Sequence, residues 1–145
     1  MTGAALRLQE LRASFARQSF MSTLGAELVE AEAGRVRIVW RRQAALLQQH
    51  GYLHAGVVAS ILDSACGYAA FAMAPAGREV LTVEFKTSLL RPASGTAFEA
   101  VGRVVKAGRN LVFCSGEARE TTPASRLIAT MTSTLAIGEP GRNAG

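Results

Sequence analysis

The chain changes hydrophobic period three times. From Ala4 to Arg17 the apolar residues Leu8, Leu11 and Phe15 recur at helical spacing, which predicts an amphipathic surface helix with Ser19 to Leu24 as its exit. After Ala26 the period drops to two. Leu28 and Val29 lead to Gly34, and then Val36, Ile38 and Trp40 alternate with Arg35, Arg37 and Arg41, so the two segments read as a hairpin of half-buried strands. The polar, turn-like stretch Gln48 to Gly56 feeds the longest apolar run, Val57 to Ala74, which Pro75 and Gly77 stop. That run is the central helix. Beyond it Leu81, Val83 and Phe85 alternate with Thr82, Glu84 and Lys86 up to Arg91-Pro92, and Phe98 to Val105, Leu111 to Ala118 and Leu127 to Ile137 follow between Gly, Asn and Pro breakers. These are four more strands, mostly in antiparallel hairpins. The order of elements predicts an α+β domain in which a twisted antiparallel sheet folds around one long apolar helix.

A chain of 145 residues that is 49% apolar builds one core and leaves no room for a second domain of ordinary size. Residues 1–23 are read as a helical segment of that same domain, 24–137 as its body and 138–145 as a flexible tail. The net charge is +5, yet the 16 basic residues are scattered and never run longer than Arg41-Arg42, so no nucleic-acid partner is expected. Cys66 and Cys114 lie far apart with His50 and His54 as the only histidines, which offers neither a metal site nor a disulfide framework. No cofactor is expected. The reading is cytoplasmic, since no secretory leader pattern opens the sequence, and the Arg-rich start is better explained as a surface helix than as a transit peptide. The segment His54 to Ala76 has the length of a membrane span, but Asp63 at its centre would cost roughly 3 kcal/mol and no membrane association is expected.

Ten of the eleven acids are glutamates, and Asp63 is the only aspartate. On a helical wheel it shares a side of the central helix with Gly56, Ala59, Ser60, Cys66, Gly67 and Ala70, whereas Val57, Val58, Ile61, Ala65, Tyr68, Ala69 and Ala72 lie opposite. The bulky side suits packing on the sheet, and the small side admits a ligand or another backbone. An acid in such a helix is disfavoured by propensity and desolvation, so it is either held by a structural partner or kept for chemistry. His54-Ala55-Gly56 sets free amides at the helix start, where an oxyanion gains from backbone N–H groups and the dipole. Glycine near a helix start has other uses. The spacing adds weight, because Asp63 lies about two turns further along the same face and both could border one cleft.

These residues resemble the hotdog-fold thioesterases of the PaaI type, kin to 4-hydroxybenzoyl-CoA thioesterases, whose motif N-x-x-G-x-x-H-G-G-x-x-x-x-L-x-D precedes a strand bearing Ser or Thr. Here it stands as Gln48-Gln49-His50-Gly51-Tyr52-Leu53-His54-Ala55-Gly56, then Val57 to Leu62, then Asp63, with matching spacing. The likeness extends over Leu24 to Ile137 and includes Leu81-Thr82-Val83-Glu84-Phe85, Arg91-Pro92 and the turn Lys106-Ala107-Gly108-Arg109. It implies a hotdog fold and hydrolysis of an acyl-CoA or aryl-CoA thioester to the acid and free coenzyme A, by a homodimer or homotetramer.

By the same resemblance Asp63 is the general base or nucleophile, the amides of Ala55 and Gly56 polarise the thioester carbonyl, Gln48 orients substrate or water, Thr82 helps place the water and His54 shapes the pocket. The resemblance further implies that Asp63 faces Gln48 and His54 of the partner subunit. Arg91, Lys106 and Arg109, on turns of a basic protein, are candidates for the coenzyme A phosphates, against a plain reading as solvated charge. Two positions depart from the pattern. Gln48 replaces Asn, a methylene longer and so about 1 Å displaced. Ala55 replaces the first Gly, which is harmless where only its N–H is used and φ is negative. His50 lacks a carboxylate or thiol at an interpretable spacing and reads as loop structure or dimer contact, while Cys66 reads as a packed core thiol rather than half of a Cys-His pair. The alternatives carried are a non-catalytic acyl-CoA-binding or regulatory module of the same fold, and a hotdog dehydratase built on a His and an acid across a dimer seam.

Overall fold

The computed structural model describes residues 2–140, so that of the expected tail Gly138 closes the last strand and residues 141–145 lie outside the described part. Helix α1 (Gly3–Arg17) starts on Thr2, whose hydroxyl accepts the Ala5 N–H. A second helix, α2 (Ser19–Leu24), forms where the pattern suggested only an exit, and Gly25 ends it at φ 68°, a left-handed cap. Strands β1 (Glu27–Glu32) and β2 (Arg35–Arg41) make the expected hairpin. Helix α3 (Ala55–Met73) follows, and then β3 (Glu79–Leu89), β4 (Ala97–Ala107), β5 (Leu111–Thr122) and β6 (Arg126–Gly138).

All strand pairs are antiparallel, in one six-stranded sheet ordered β1-β2-β4-β5-β6-β3. The sheet curls around α3, so the α+β hotdog architecture expected from the sequence is the one observed. Val36, Ile38, Phe98, Ala100, Val112 and Leu135 on its inner face and Ile61, Leu62, Ala65 and Ala69 on the helix are all essentially inaccessible. Helix α3 is long and apolar enough to cross a membrane by composition, but its apolar surface is taken up by the sheet and by α1.

The division of α3 into a bulky and a small stripe needs one correction. Besides Val58, Ile61 and Leu62, the helix meets the sheet through residues of the small stripe, because β4 and β5 present Gly102 and Gly116 beneath it. A Cβ at Gly102 would collide with the Ala65 carbonyl, and one at Gly116 would sit 3.1 Å from the Cys66 sulfur. Cys66 and Ala70 are therefore fully buried against the strands, while Tyr68, from the bulky side, turns to α1 and packs edge-on against Phe15 at 5.5 Å. What remains open of the small stripe is Gly56, Ala59, Ser60, Asp63 and Gly67.

Helix α1 is fastened by a residue not singled out from the sequence. Arg7 is buried, with its guanidinium 3.5 Å from the centre of the Phe71 ring, Nε donating to Phe71 O at 2.9 Å and Nη2 donating to Arg78 O at 2.7 Å. It thus caps the C-terminal carbonyls of α3 with a positive charge and ties down the link into β3. At the other side of the sheet β3 is an edge strand, with Leu81 76%, Val83 61% and Leu89 54% exposed. A long apolar edge of this kind is a template for pairing.

Candidate active site

Asp63 sits midway along α3, half-buried, on the open stripe. Its Oδ1 accepts a hydrogen bond of 2.7 Å from Thr82 Oγ1, and no cation pairs with it among the described residues. Thr82 reaches it from edge strand β3, just before the register of β3 against β6 slips between Thr82 and Glu84; such a bulge re-aims the side chains beside it. The charge-assisted bond fixes one carboxylate oxygen and leaves the other for a substrate or water. Beside it opens a cavity of about 190 Å³, lined by Ser14 and Gln18 from the N-terminal segment, Gly67 and Tyr68 from α3, and Glu79 from β3. Burial holds the Tyr68 phenol above its usual range although the Ser14 hydroxyl works the other way, so the group is a neutral donor.

The helix start is arranged differently from the expectation in one respect. His54 is the N-cap of α3, and its Nδ1 accepts the Gly56 N–H at 2.8 Å. That amide is occupied. The Ala55 N–H, at the first helical position, has no partner among the described residues and is the one free to meet a substrate oxygen. No non-glycine residue among those described has positive φ, so Ala55 carries its methyl without strain. Gln48 spends its side-chain oxygen inside its own loop, accepting His50 N–H at 2.5 Å and Tyr52 N–H at 3.2 Å, which leaves its amide NH₂ to donate outward. His50 is exposed and serves that turn through its backbone.

Gln48, His54, Ala55 and Arg91 line a second cavity of about 520 Å³. It shares no residue with the cavity at Asp63, so within one chain the acid and the free amide do not border a single cleft. Eight residues of helix separate them, about 12 Å. The three basic candidates also part company. Arg91 follows β3 at one end of the sheet, whereas Lys106 and Arg109 flank the β4–β5 turn at the other; the rows of Ala129 and Ala136 that mark those ends are about 23 Å apart at strand rise.

Cys66 and Cys114 are both free and buried, and Cys114 Sγ donates to Cys66 O at 3.6 Å. Burial pushes the Cys66 thiol far up and Cys114 to about 11, so both stay protonated core thiols, the reading made from the sequence for Cys66. Ser14, Gln18 and Glu79 were not singled out from the sequence. Their place is set by how α1 and the start of β3 dock, and the one local signal was Gly67, a glycine inside a helix one turn beyond the acid.

The family model of the thioesterase superfamily matches residues 50–125. A thioesterase family protein of Silicibacter pomeroyi superposes with a TM-score of 0.90 and 47% identity, over 92% of this chain and 99% of that one. The E. coli PaaI protein from the phenylacetic acid degradation operon superposes with a TM-score of 0.84 over 97% of each chain at 18% identity. A thioesterase from Haemophilus influenzae does so at 0.80 over 91% of each at 19% identity, and at such identities these two likenesses are of fold. The matched segment carries the capped start of α3, Asp63, Thr82 and Arg91, and on these grounds the chain, with its hotdog fold, belongs to the thioesterase superfamily.

Proposed function

We propose that the protein hydrolyses an acyl-CoA or aryl-CoA thioester, with Asp63 as the carboxylate that activates water or attacks the carbonyl carbon. The observation that carries this reading is a half-buried acid free of any cationic partner among the described residues, held by Thr82 at 2.7 Å on the rim of a cavity. A carboxylate kept only for structure would be neutralised by a cation or saturated by amides. As a base, Asp63 takes a proton from water while the oxygen adds to the thioester carbon. As a nucleophile, it forms an anhydride that water then opens. In either case the carbonyl electrons move onto oxygen, where the Ala55 N–H and the helix dipole stabilise them, and collapse expels the coenzyme A thiolate. A thiolate leaves readily, so no strong acid is needed. The Gln48 NH₂ orients the carbonyl or the water, and His54 keeps the helix start in register.

The two half-sites meet if β3 pairs with β3 of a second copy. An antiparallel pairing centred on Glu84, the midpoint of the strand, sets the partner's Leu89 opposite Glu79. Glu79 lines the cavity at Asp63, and Leu89 and Arg91 line the cavity at Ala55, so each acid would face the partner's helix start. The same two-fold brings the partner's Lys106 and Arg109 to the end of the joined sheet that carries Arg91, gathering cations for the phosphates.

The test is free-thiol release from a panel of acyl-CoAs by the wild type and by Asp63→Asn. The expected loss is at least about a hundredfold in kcat, with melting temperature and coenzyme A binding retained. Turnover that survives the substitution, or a wild type that releases no thiol, would overturn the reading, and in the latter case the protein is a binding module.

A further inference from the structure

Gly67 lies one turn beyond Asp63 on the same face of α3 and lines the same cavity. A Cβ there would meet Leu135 Cδ2 at 3.8 Å, an ordinary contact. Nothing in the packing requires glycine, and a helix interior is weakened by it. What the missing methyl leaves is room. The cavity runs from Asp63 toward Phe71, about 12 Å along the helix, and its lining sets the polar groups of Ser14, Gln18, Tyr68 and Glu79 among the apolar Phe71, Val80 and Leu135. One of the Ser14 and Tyr68 hydroxyls donates to the other at 3.2 Å, and Ser64 Oγ donates to Gln18 Oε1 at 3.4 Å. These bonds leave the Gln18 NH₂ and one hydroxyl proton of the Ser14–Tyr68 pair unused.

We propose that Gly67, with Ser14, Gln18 and Tyr68 facing it, sets the acyl selectivity of this site: a short acyl group ending in a hydrogen-bonding atom, measured off by the N-terminal helical segment. A volume of about 190 Å³ displaces about six waters at ~30 Å³ each, so the group has roughly six carbon-sized units. The inference rests on the thioesterase reading for the identity of the ligand, but it is tested without turnover. The probes are non-hydrolysable S-alkyl-CoA thioethers (ethyl, hexyl, dodecyl and 6-hydroxyhexyl), titrated calorimetrically into the full-length protein.

For the wild type, affinity is expected to rise from ethyl to hexyl, to fall again at dodecyl, and to be about fivefold higher for hydroxyhexyl than for hexyl. Gly67→Ala is expected to raise the melting temperature while lowering the hexyl-to-ethyl affinity ratio about fourfold, the worth of one methylene. Tyr68→Phe and Gln18→Leu are expected to reduce the hydroxyhexyl-to-hexyl ratio. A wild-type affinity that keeps rising to dodecyl, or a hexyl-to-ethyl ratio unmoved by Gly67→Ala, would overturn the proposal. A protein that shows this binding pattern yet frees no thiol from any acyl-CoA would overturn the hydrolase reading alone.

Discussion

The bond from Thr82 to Asp63 joins the middle of a core helix to an edge strand, and each residue was visible in the sequence for a different reason. Asp63 stands out on composition, as the single aspartate inside the longest apolar run, where its cost demands a use. Thr82 is one of several alternating polar residues on its strand, and only the family likeness marked it. Replacing Thr82 by Val keeps shape and removes the donor. The expected result is a fall of about tenfold in kcat with little change in melting temperature, because the side chain is exposed and the bond orients rather than supports. A variant that unfolds early but turns over normally when folded would show a structural role instead. The capping role of His54 could not be read from spacing, since it depends on the ring turning back onto the Gly56 amide. That one bond decides which of two adjacent amides is available.

At the scale of elements, the strands were legible to within a few residues because alternation survives in sheets that have one wet face. The faces of α3 were legible in part: Val58, Ile61, Ala65 and Ala69 point inward as the wheel has them, but Gly102 and Gly116 draw Cys66 and Ala70 in from the small side as well. Arg7 escaped for a related reason: an arginine on a surface helix reads as solvated until a helix C-terminus is set against it. It makes two hydrogen bonds to backbone carbonyls from a buried position, so Arg7→Met should cost about 2–3 kcal/mol and lower the melting temperature. Limited proteolysis should then cut within α1 before the body of the domain. Equal protection in wild type and variant would mean that α1 is held by its apolar contacts alone.

For the whole molecule, what the sequence alone placed in one cleft occupies two, and the exposed edge of β3 is where the parts can meet. Mixing separately inactive Asp63→Asn and Gln48→Ala proteins under conditions of subunit exchange tests this directly. If sites are shared, half of the dimers are hybrid and carry one intact site each, so about a quarter of wild-type activity returns. If each chain is self-sufficient, none returns. A charge introduced on the edge, Val83→Lys, should yield monomers by sedimentation and abolish turnover together with dimerisation.

The bare position at Gly102 has a reach beyond its own strand. Helix α3 rests on it, and Asp63 rides the turn immediately before Ala65, so the height of the carboxylate above the sheet is set from beneath by an absent side chain. Even a single methyl at that point would jack the helix outward, opening the gap to Thr82 without altering any group that meets a ligand. The spacing of the reactive pair is therefore tuned on the far side of the helix, in dry interior, where no screen of ligand-contacting residues would look for it.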